Sequence, residues 1–580
     1  VIDQPPRFSV IVPVFHPEPD HLEACIRSVT DQTYHGWELL LVADGPQPLP
    51  VETILVEFAA SDPRIKVMHN DEAQGIAAAT QRGLVAARHE YVALLDHDDA
   101  LSLDALGAFA AELARFDDVD LAYSDEDKID AESGKRKHAF YKPAFSPERL
   151  RTQMYLGHLM VIRRELALTV GGFRSEFDGA QDHDLALRVA EQARRVIHLP
   201  RLLYHWRESE SSTALDDQAK DWAFDAGVRA VADHLARTAF PAVAVRRPED
   251  PGVVHLEPSL TDEPLVSVII PTGAASKLVH GVDTVLVEQA LSSLIERSSY
   301  PRVEVVVVCD AETTPEAMAA IEAVCAPIRH GLIRDRRPFN FANACNLGAI
   351  RAEGGILVFL NDDTEVVMPE WLERLVMYAT RPDIGAVGAR LLYGDGRIQH
   401  AGVWSRATGP SHRYAGFPTD HPGNFRALRT AQNCLAVTAA CLAVERDKFE
   451  EIGGFSPQYP LSYNDVDLCL KLLHRGYRNV VDCATVLTHH ESASRNPTVR
   501  DWEIDQLRRR WGRLLNRDPY DNPCNLGFGV EEYPGSPIDV IEAKIDRGEI
   551  DITGRSWPGD DTFRLGDRSP RSETELVTSP

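Results

Sequence analysis

The sequence predicts an α/β protein built from two tandem Rossmann-like domains, each an open, mostly parallel sheet, followed by a small helical and then irregular C-terminal tail. Three observations carry this. Strand-like runs are continuous and β-branched, such as Phe8-Ser-Val-Ile-Val-Pro13, the signature of strands covered on both faces. Helix-period segments, such as 21–30 and 75–87, separate them, giving alternating βαβ units. Finally, the pattern occurs twice in the same order.

The repeat is explicit. Phe8-Ser-Val-Ile-Val-Pro13 matches Val266-Ser-Val-Ile-Ile-Pro271, and Glu38-Leu-Leu-Leu-Val-Ala-Asp44 matches Glu304-Val-Val-Val-Val-Cys-Asp310. Tyr91 to Asp98 matches Ile356 to Asp363, Gly171-Gly-Phe173 matches Gly453-Gly-Phe455, and Gln181-Asp-His-Asp-Leu185 matches Asn464-Asp-Val-Asp-Leu468. The offset is 258 from Pro13 to Pro271, 265 from Asp98 to Asp363 and 283 from Asp182 to Asp465. The second copy therefore holds about 18 extra residues between its acidic motifs, expected as a loop around 393–425. This organisation predicts domains over 1–240 and 265–500, a Pro-rich linker over 241–264, and an extension over 501–580 that begins as a helix near 501–515 and is irregular from Asp518, packed on the second copy.

Composition narrows the function. The 580 residues carry 61 Lys and Arg against 88 Asp and Glu, a formal charge of −27, which argues against coating nucleic acid. Hydrophobic residues make up 44% and charged residues 26%, values of a globular chain rather than a disordered or membrane-embedded one. No apolar run approaches the roughly 18 residues of a membrane span. Nine cysteines without a C-x-x-C pair predict reduced, mostly buried thiols and a cytoplasmic setting. The basic stretches 334–337 and 508–510 leave room for peripheral contact with the cytoplasmic membrane face.

Open α/β sheets bind ligands beyond the carboxyl ends of their strands, where Asp44, Asp98, Asp310 and Asp363 fall. An apolar strand ending in Asp96-His-Asp98-Asp99 suits Mg²⁺ or Mn²⁺ held by one or two carboxylates and substrate phosphates; the same pattern fits turn formation and helix capping. In the second copy, Asn361-Asp362-Asp363 makes Asp363 the better metal candidate. Asp182 and Asp465 fall in the first turn of helix-like segments, suiting a general base for a hydroxyl or, alternatively, an N-cap. Asp184 and Asp467 are expected to fix the helix start or the base. His205, in Leu203-Tyr-His-Trp-Arg207, and His489, in Thr488-His-His-Glu-Ser492, close their copies at similar intervals, as metal ligands or as packed histidines. Arg207 and Arg495 could clamp phosphate oxygens.

These motifs, with the phrases Tyr123-Ser-Asp-Glu-Asp127, Arg337-Pro-Phe-Asn-Phe341, Gln399-His-Ala-Gly402 and His489-His-Glu-Ser-Ala-Ser-Arg495, make each copy resemble a GT-A glycosyltransferase of the family 2 type. The whole resembles tandem bacterial enzymes that build O-antigen, capsule and other surface polysaccharides. The resemblance covers about residues 7–215 and 265–495. It implies inverting transfer of a sugar from a nucleotide diphosphate to a hydroxyl of a glycan or lipid-linked glycan acceptor, in two active domains. It gives Asp44, Asp96, Asp310, Asp362, Arg207 and Arg495 the nucleotide and diphosphate, Asp98, His205, Asp363 and His489 the divalent metal, and Asp182 and Asp465 the role of base. Ranked behind it are a pair with one catalytic and one scaffolding domain, a nucleotidyltransferase, for which Val14-Phe-His-Pro17 lacks a triphosphate loop, and a noncatalytic sugar-binding platform.

Overall fold

The computed structural model describes residues 5–130, 133–208, 221–279, 281–406, 409–490, 500–525, 538–553 and 555–556. Two large sheets repeat one strand order. From its outer edge the first runs Ile65–His69, Trp37–Ala43, Phe8–Val14, Tyr91–Leu94, Met160–Arg163, Val119–Ile129 and Arg195–Arg207. The second runs Arg329–Arg334, Val303–Cys309, Val266–Thr272, Ile356–Leu360, Cys441–Glu445, Ile384–Leu392 and Arg478–His489. In each, four parallel strands lead to one antiparallel strand, Met160–Arg163 or Cys441–Glu445, and then to a parallel pair.

The continuous apolar runs behave as their composition requires: Phe8–Val14, Trp37–Ala43 and Val266–Thr272 are buried throughout because helices cover both faces. Ser9 Oγ donates to Glu38 Oε1 at 2.8 Å, and Ser267 Oγ to Glu304 Oε1 at 2.6 Å, so even the buried polar residues are duplicated. Gly83 and Gly348 let a helix approach the first strand of each sheet; a Cβ there would lie 2.5 Å from Ile11 Cγ2 or 2.4 Å from Ile269 Cγ2. The Gly-Gly-Phe turns also have a shared cause. Both glycines of each turn have positive φ, which side chains disfavour, and the Phe amide then donates to a helix side chain: Phe173 N to Gln81 Oε1 at 2.8 Å, Phe455 N to Asn346 Oδ1 at 2.9 Å.

The structure differs from the sequence reading in three regions. The expected linker contains an antiparallel hairpin, Ala242–Arg246 with Val254–Pro258, tied to both sides because Val254 N donates to Thr152 O and Arg374 Nη1 to Leu256 O, each at 2.8 Å. The expected loop near 393–425 contains the strand Ile398–His400 and the paired strands Val403–Arg406 and Gly409–His412. At its end Phe425 stacks on Phe140 of the first domain, with ring centroids 4.2 Å apart. The extension begins as expected with the helix Asp501–Asn516 on the second domain, but then crosses to the first. Ser405 N donates to Asp518 Oδ2 at 2.9 Å, while Asn522 Nδ2 donates to Asp125 Oδ2 at 2.9 Å. The helix Ile538–Asp546 follows, and Arg555–Ser556 joins the first sheet beside Ile197 and His198. Buried apolar contact drives the crossing: Cys524, Ile541 and Ile550 cluster on Tyr141.

A buried ion pair joins the domains. Arg478 Nη2 lies 2.9 Å from Glu148 Oε1 and 2.5 Å from Asp383 Oδ2, and Ser146 Oγ bonds Asn433 Oδ1 at 2.8 Å. All nine cysteines are buried and unbridged. Among the described residues no helix is long and apolar enough to cross a membrane.

Candidate active sites at the two sheet edges

The first acidic motif follows the Tyr91–Leu94 strand, and its residues divide the work. Asp99 is fully buried; its carboxylate accepts from the Tyr204 hydroxyl and, at 2.7 Å, from Arg207 N, so it fastens the last strand to the rim. Burial, followed by the charges of Asp96 and Asp98, raises its carboxyl well above the usual range. Asp98 is half-buried, and Arg207 Nε donates to its backbone oxygen at 2.9 Å. Asp96 lies 3.6 Å from His158 Nε2 and its side chain keeps 42% of its exposure. It opens toward solvent while protein surrounds it on its other sides; that desolvation raises its carboxyl, against the pull of His158 and with the added charges of Asp98 and Asp182. Asp182 is therefore close enough to act on Asp96, and Asp96, Asp98, His158 and Asp182 share one rim.

At the second rim His489 Nε2 is 2.9 Å from Asp363 Oδ1 and 3.2 Å from Asn361 Nδ2, while its Nδ1 is 2.6 Å from Gln399 Oε1. With Gln399 Oε1 accepting from Nδ1–H, the Nε2 edge of the ring faces Asp363 and Asn361, and an imidazole held from behind by an amide is a prepared metal ligand. Asp465 belongs to the same rim: its Oδ2 accepts from Ala439 N at 3.1 Å, and the next residue's oxygen, Ala440 O, accepts from Asn361 N at 3.2 Å. Asp362 is turned aside, its Oδ2 accepting from Thr272 Oγ1 at 2.7 Å.

Asp182 and Asp465 lie in the first turns of Gln181–Gln192 and Asn464–His474, whose N-cap positions are Ala180 and Tyr463. Each carboxylate accepts the next residue's amide, at 2.7 Å from His183 N and 2.8 Å from Val466 N, in the favourable field of the helix start. Their neighbours are committed to the fold. Asp184 is held by Arg174 and Arg188, and Asp467 by Ser456 Oγ at 2.6 Å and Trp511 Nε1 at 2.8 Å.

Besides Asp362, three of the site residues expected from the sequence are placed differently. Asp44 is 4% exposed, and its carboxylate accepts from Asn70 Nδ2, Gln74 N and Gly75 N at 2.7–2.9 Å; it closes the loop before the next helix and faces inward rather than toward a nucleotide. Asp310 Oδ1 is similarly taken by Glu312 N, Thr313 N and Thr313 Oγ1. His205 is not the counterpart of His489. Ala100 pairs with His205, so Asp99 lies opposite Trp206, whereas Thr364, the counterpart of Asp99, lies opposite His489. A shift of one residue in a strand reverses the face, and His205 points into a separate network, Nδ1 at 2.6 Å from Asp127 Oδ1 and Nε2 at 2.9 Å from Ser102 Oγ. The same register sets Arg207 against His490, whose Nε2 lies 3.1 Å from Glu365 Oε2. Arg495 lies outside the described residues.

His158 and Gln399 are site side chains that the sequence does not single out. Gln399 opens the run Gln399-His-Ala-Gly402, but nothing there marks it as a partner of His489. His158 has no signal in the repeat: the strands Met160–Arg163 and Cys441–Glu445 pair so that Val161 corresponds to Ala443, which sets His158 against Ala440. Among the described residues no cluster of three metal-ligating side chains is found.

The family described as Glycosyl transferase family 2 matches residues 9–170 and 267–453, one stretch in each sheet and more than half of the chain together. The chain is 38% identical over 555 residues to the protein of Sinorhizobium fredii named Uncharacterized protein y4gI, covering 93% of this chain and 60% of that one. It is 38% identical over 526 residues to the O-antigen biosynthesis protein RfbC of Myxococcus xanthus, covering 89% and 40%. It is 24% identical over 204 residues to the hyaluronan synthase of Pasteurella multocida, covering 35% and 21%. The chain thus spans from about a fifth to three fifths of the length of these relatives. With one family match in each of two sheets of identical strand order, the chain belongs to glycosyl transferase family 2.

Proposed function

We propose that each sheet edge is a glycosyl-transfer centre that moves a sugar from a nucleotide diphosphate to a glycan hydroxyl with inversion, and that the chain builds a bacterial surface polysaccharide. The observation that carries this reading is the convergence of Asp465, Asn361, His489 and Asp363 at the second rim, with Asp182, Asp96 and Asp98 in the corresponding positions of the first. The 38% identity to an O-antigen biosynthesis protein supports the product class.

Asp363 with His489, and Asp98 with Asp96, are the donors that would hold Mg²⁺ or Mn²⁺. When bound, such a cation neutralises charge on the diphosphate leaving group. Asp182 and Asp465 accept the proton of the acceptor hydroxyl as it attacks, each oriented by the amide of the following residue. Arg207 stands beside Asp98 to meet a phosphate oxygen. Inverting transfer needs one base and no covalent intermediate, which matches one Asp per helix start whose carboxylate accepts from backbone amides.

The domains are read as taking different donors. After the first strand, the first domain presents Phe15, 52% exposed and stacked on His16, whereas the second presents Gly273 against Asp310, followed by Ala274. The test is calorimetric titration with UDP, GDP and dTDP in the presence of Mn²⁺. Two sites per chain are expected, one weakened by Asp98→Asn and the other by Asp363→Asn; a single site, or two sites indifferent to both substitutions, contradicts the reading.

A further inference from the structure

Both rims place an imidazole beside their acids, but they take it from different strands. At the second rim it is His489 of the closing strand. At the first, the same register position is Trp206, and the neighbouring His205 is committed to Asp127 and Ser102. There the imidazole comes instead from His158, in the turn entering the Met160–Arg163 strand, with Nε2 3.6 Å from Asp96 Oδ2. The acid changes with it: Asp96 accompanies His158 in the first domain, whereas Asn361 accompanies Ala440 in the second. Each rim thus keeps one imidazole while the position that supplies it moves.

The His158 ring is held from two sides and left open on a third. Its backbone N donates to Glu126 Oε2 at 2.9 Å and its backbone O accepts from Lys142 Nζ at 2.5 Å; that buried ammonium pairs with Glu126 at 2.9 Å. A buried lysine–glutamate pair is costly unless well paired, and here both partners also fix the His158 backbone. The ring stacks on Tyr204, centroids 4.7 Å apart and 23° between planes, and Tyr204 is fastened to Asp99. The side chain is 30% exposed, and its Nε2 stands beyond hydrogen-bond distance of Asp96. Two donors 3.6 Å apart can both reach a cation with bonds of about 2.1 Å.

We infer that His158 is the nitrogen ligand of a divalent cation at the first rim, acting with Asp96 as His489 acts with Asp363 at the second. This rests on the metal-assisted reading above. The test is Mn²⁺ binding to the full chain with UDP, GDP or dTDP present, followed by electron paramagnetic resonance, in which unbound ion is counted and ¹⁴N modulation of bound ion reports an imidazole ligand. In His489→Gln, which leaves His158 untouched, the ion at the first rim keeps its ¹⁴N modulation. Adding His158→Gln removes that modulation and weakens the site roughly 10-fold or more, while His158→Gln alone preserves the modulation due to His489. An ion that is bound without ¹⁴N modulation in His489→Gln, or modulation and affinity that survive in the double variant, overturns His158 as ligand and leaves the metal reading intact. Absence of Mn²⁺ binding by the unaltered chain overturns both.

Discussion

His489 Nε2 lies 2.9 Å from Asp363 Oδ1, and the residue at its register position in the first sheet is Trp206. The two rims are therefore duplicated in backbone but not in every side chain, and their chemistry separates residue by residue.

Gln399 orients His489 without facing the rim itself. Gln399→Ala is expected to weaken Mn²⁺ binding at the second site by roughly 10-fold and to leave the first site unchanged; metal titration of the two sites checks this.

Asp44 is a fold residue. Asp44→Ala leaves Asn70 Nδ2 and the amides of residues 74 and 75 without their acceptor, at a cost of about 1–3 kcal/mol. Thermal unfolding is expected to show the loss, and nucleoside diphosphate affinity of the folded fraction is expected to change little.

Arg478 joins the domains through Glu148 of the first, while Asp383 of its own domain shares the same guanidinium nitrogen. Removing one member of a buried pair strands the other, so Arg478→Met is expected to destabilise by about 3–5 kcal/mol. Denaturant unfolding measures it, and the companion variant Glu148→Gln is expected to recover part of the loss by removing the stranded charge.

Glu191 supplies a pH dependence. Burial opposes its ionisation, but His234 and Arg237 prevail and hold it down to about 2, from an ordinary value of 4.5. A depressed carboxyl stabilises the fold above its unfolded value, and that contribution is lost as pH falls from about 4.5 through about 2. Unfolding followed across this window is expected to show a shallower acid slope in Glu191→Gln than in the unaltered chain.

The architecture was legible because its causes are local and occur twice: β-branched runs, helix-period segments and a Gly-Gly-Phe turn whose glycines need positive φ. The placement of Asp182 and Asp465 in the first turns of their helices was legible for the same reason, since the motif recurs in both copies. What escaped depends on tertiary placement. A one-residue register shift separates His205 from His489, and counting from the base motif does not detect it. Asp44 stands at the edge where ligands bind, yet the loop that returns through residues 70–75 takes up its carboxylate. His158 has no repeat partner, and the path of the chain from Asp518 onto the first domain is set by a small apolar cluster around Tyr141 rather than by any local pattern.

Two transfer centres in one chain should make two separable linkages. Product analysis across UDP-, GDP- and dTDP-sugars with Mn²⁺, comparing the unaltered chain with Asp182→Asn and Asp465→Asn, reads them individually. Each variant is expected to lose one linkage, by roughly 10²–10⁴-fold in rate, while retaining the other linkage and both nucleotide-binding events. Unchanged products from either variant would contradict a base in that domain, and unchanged products from both would contradict the assignment of the two rims as transfer centres.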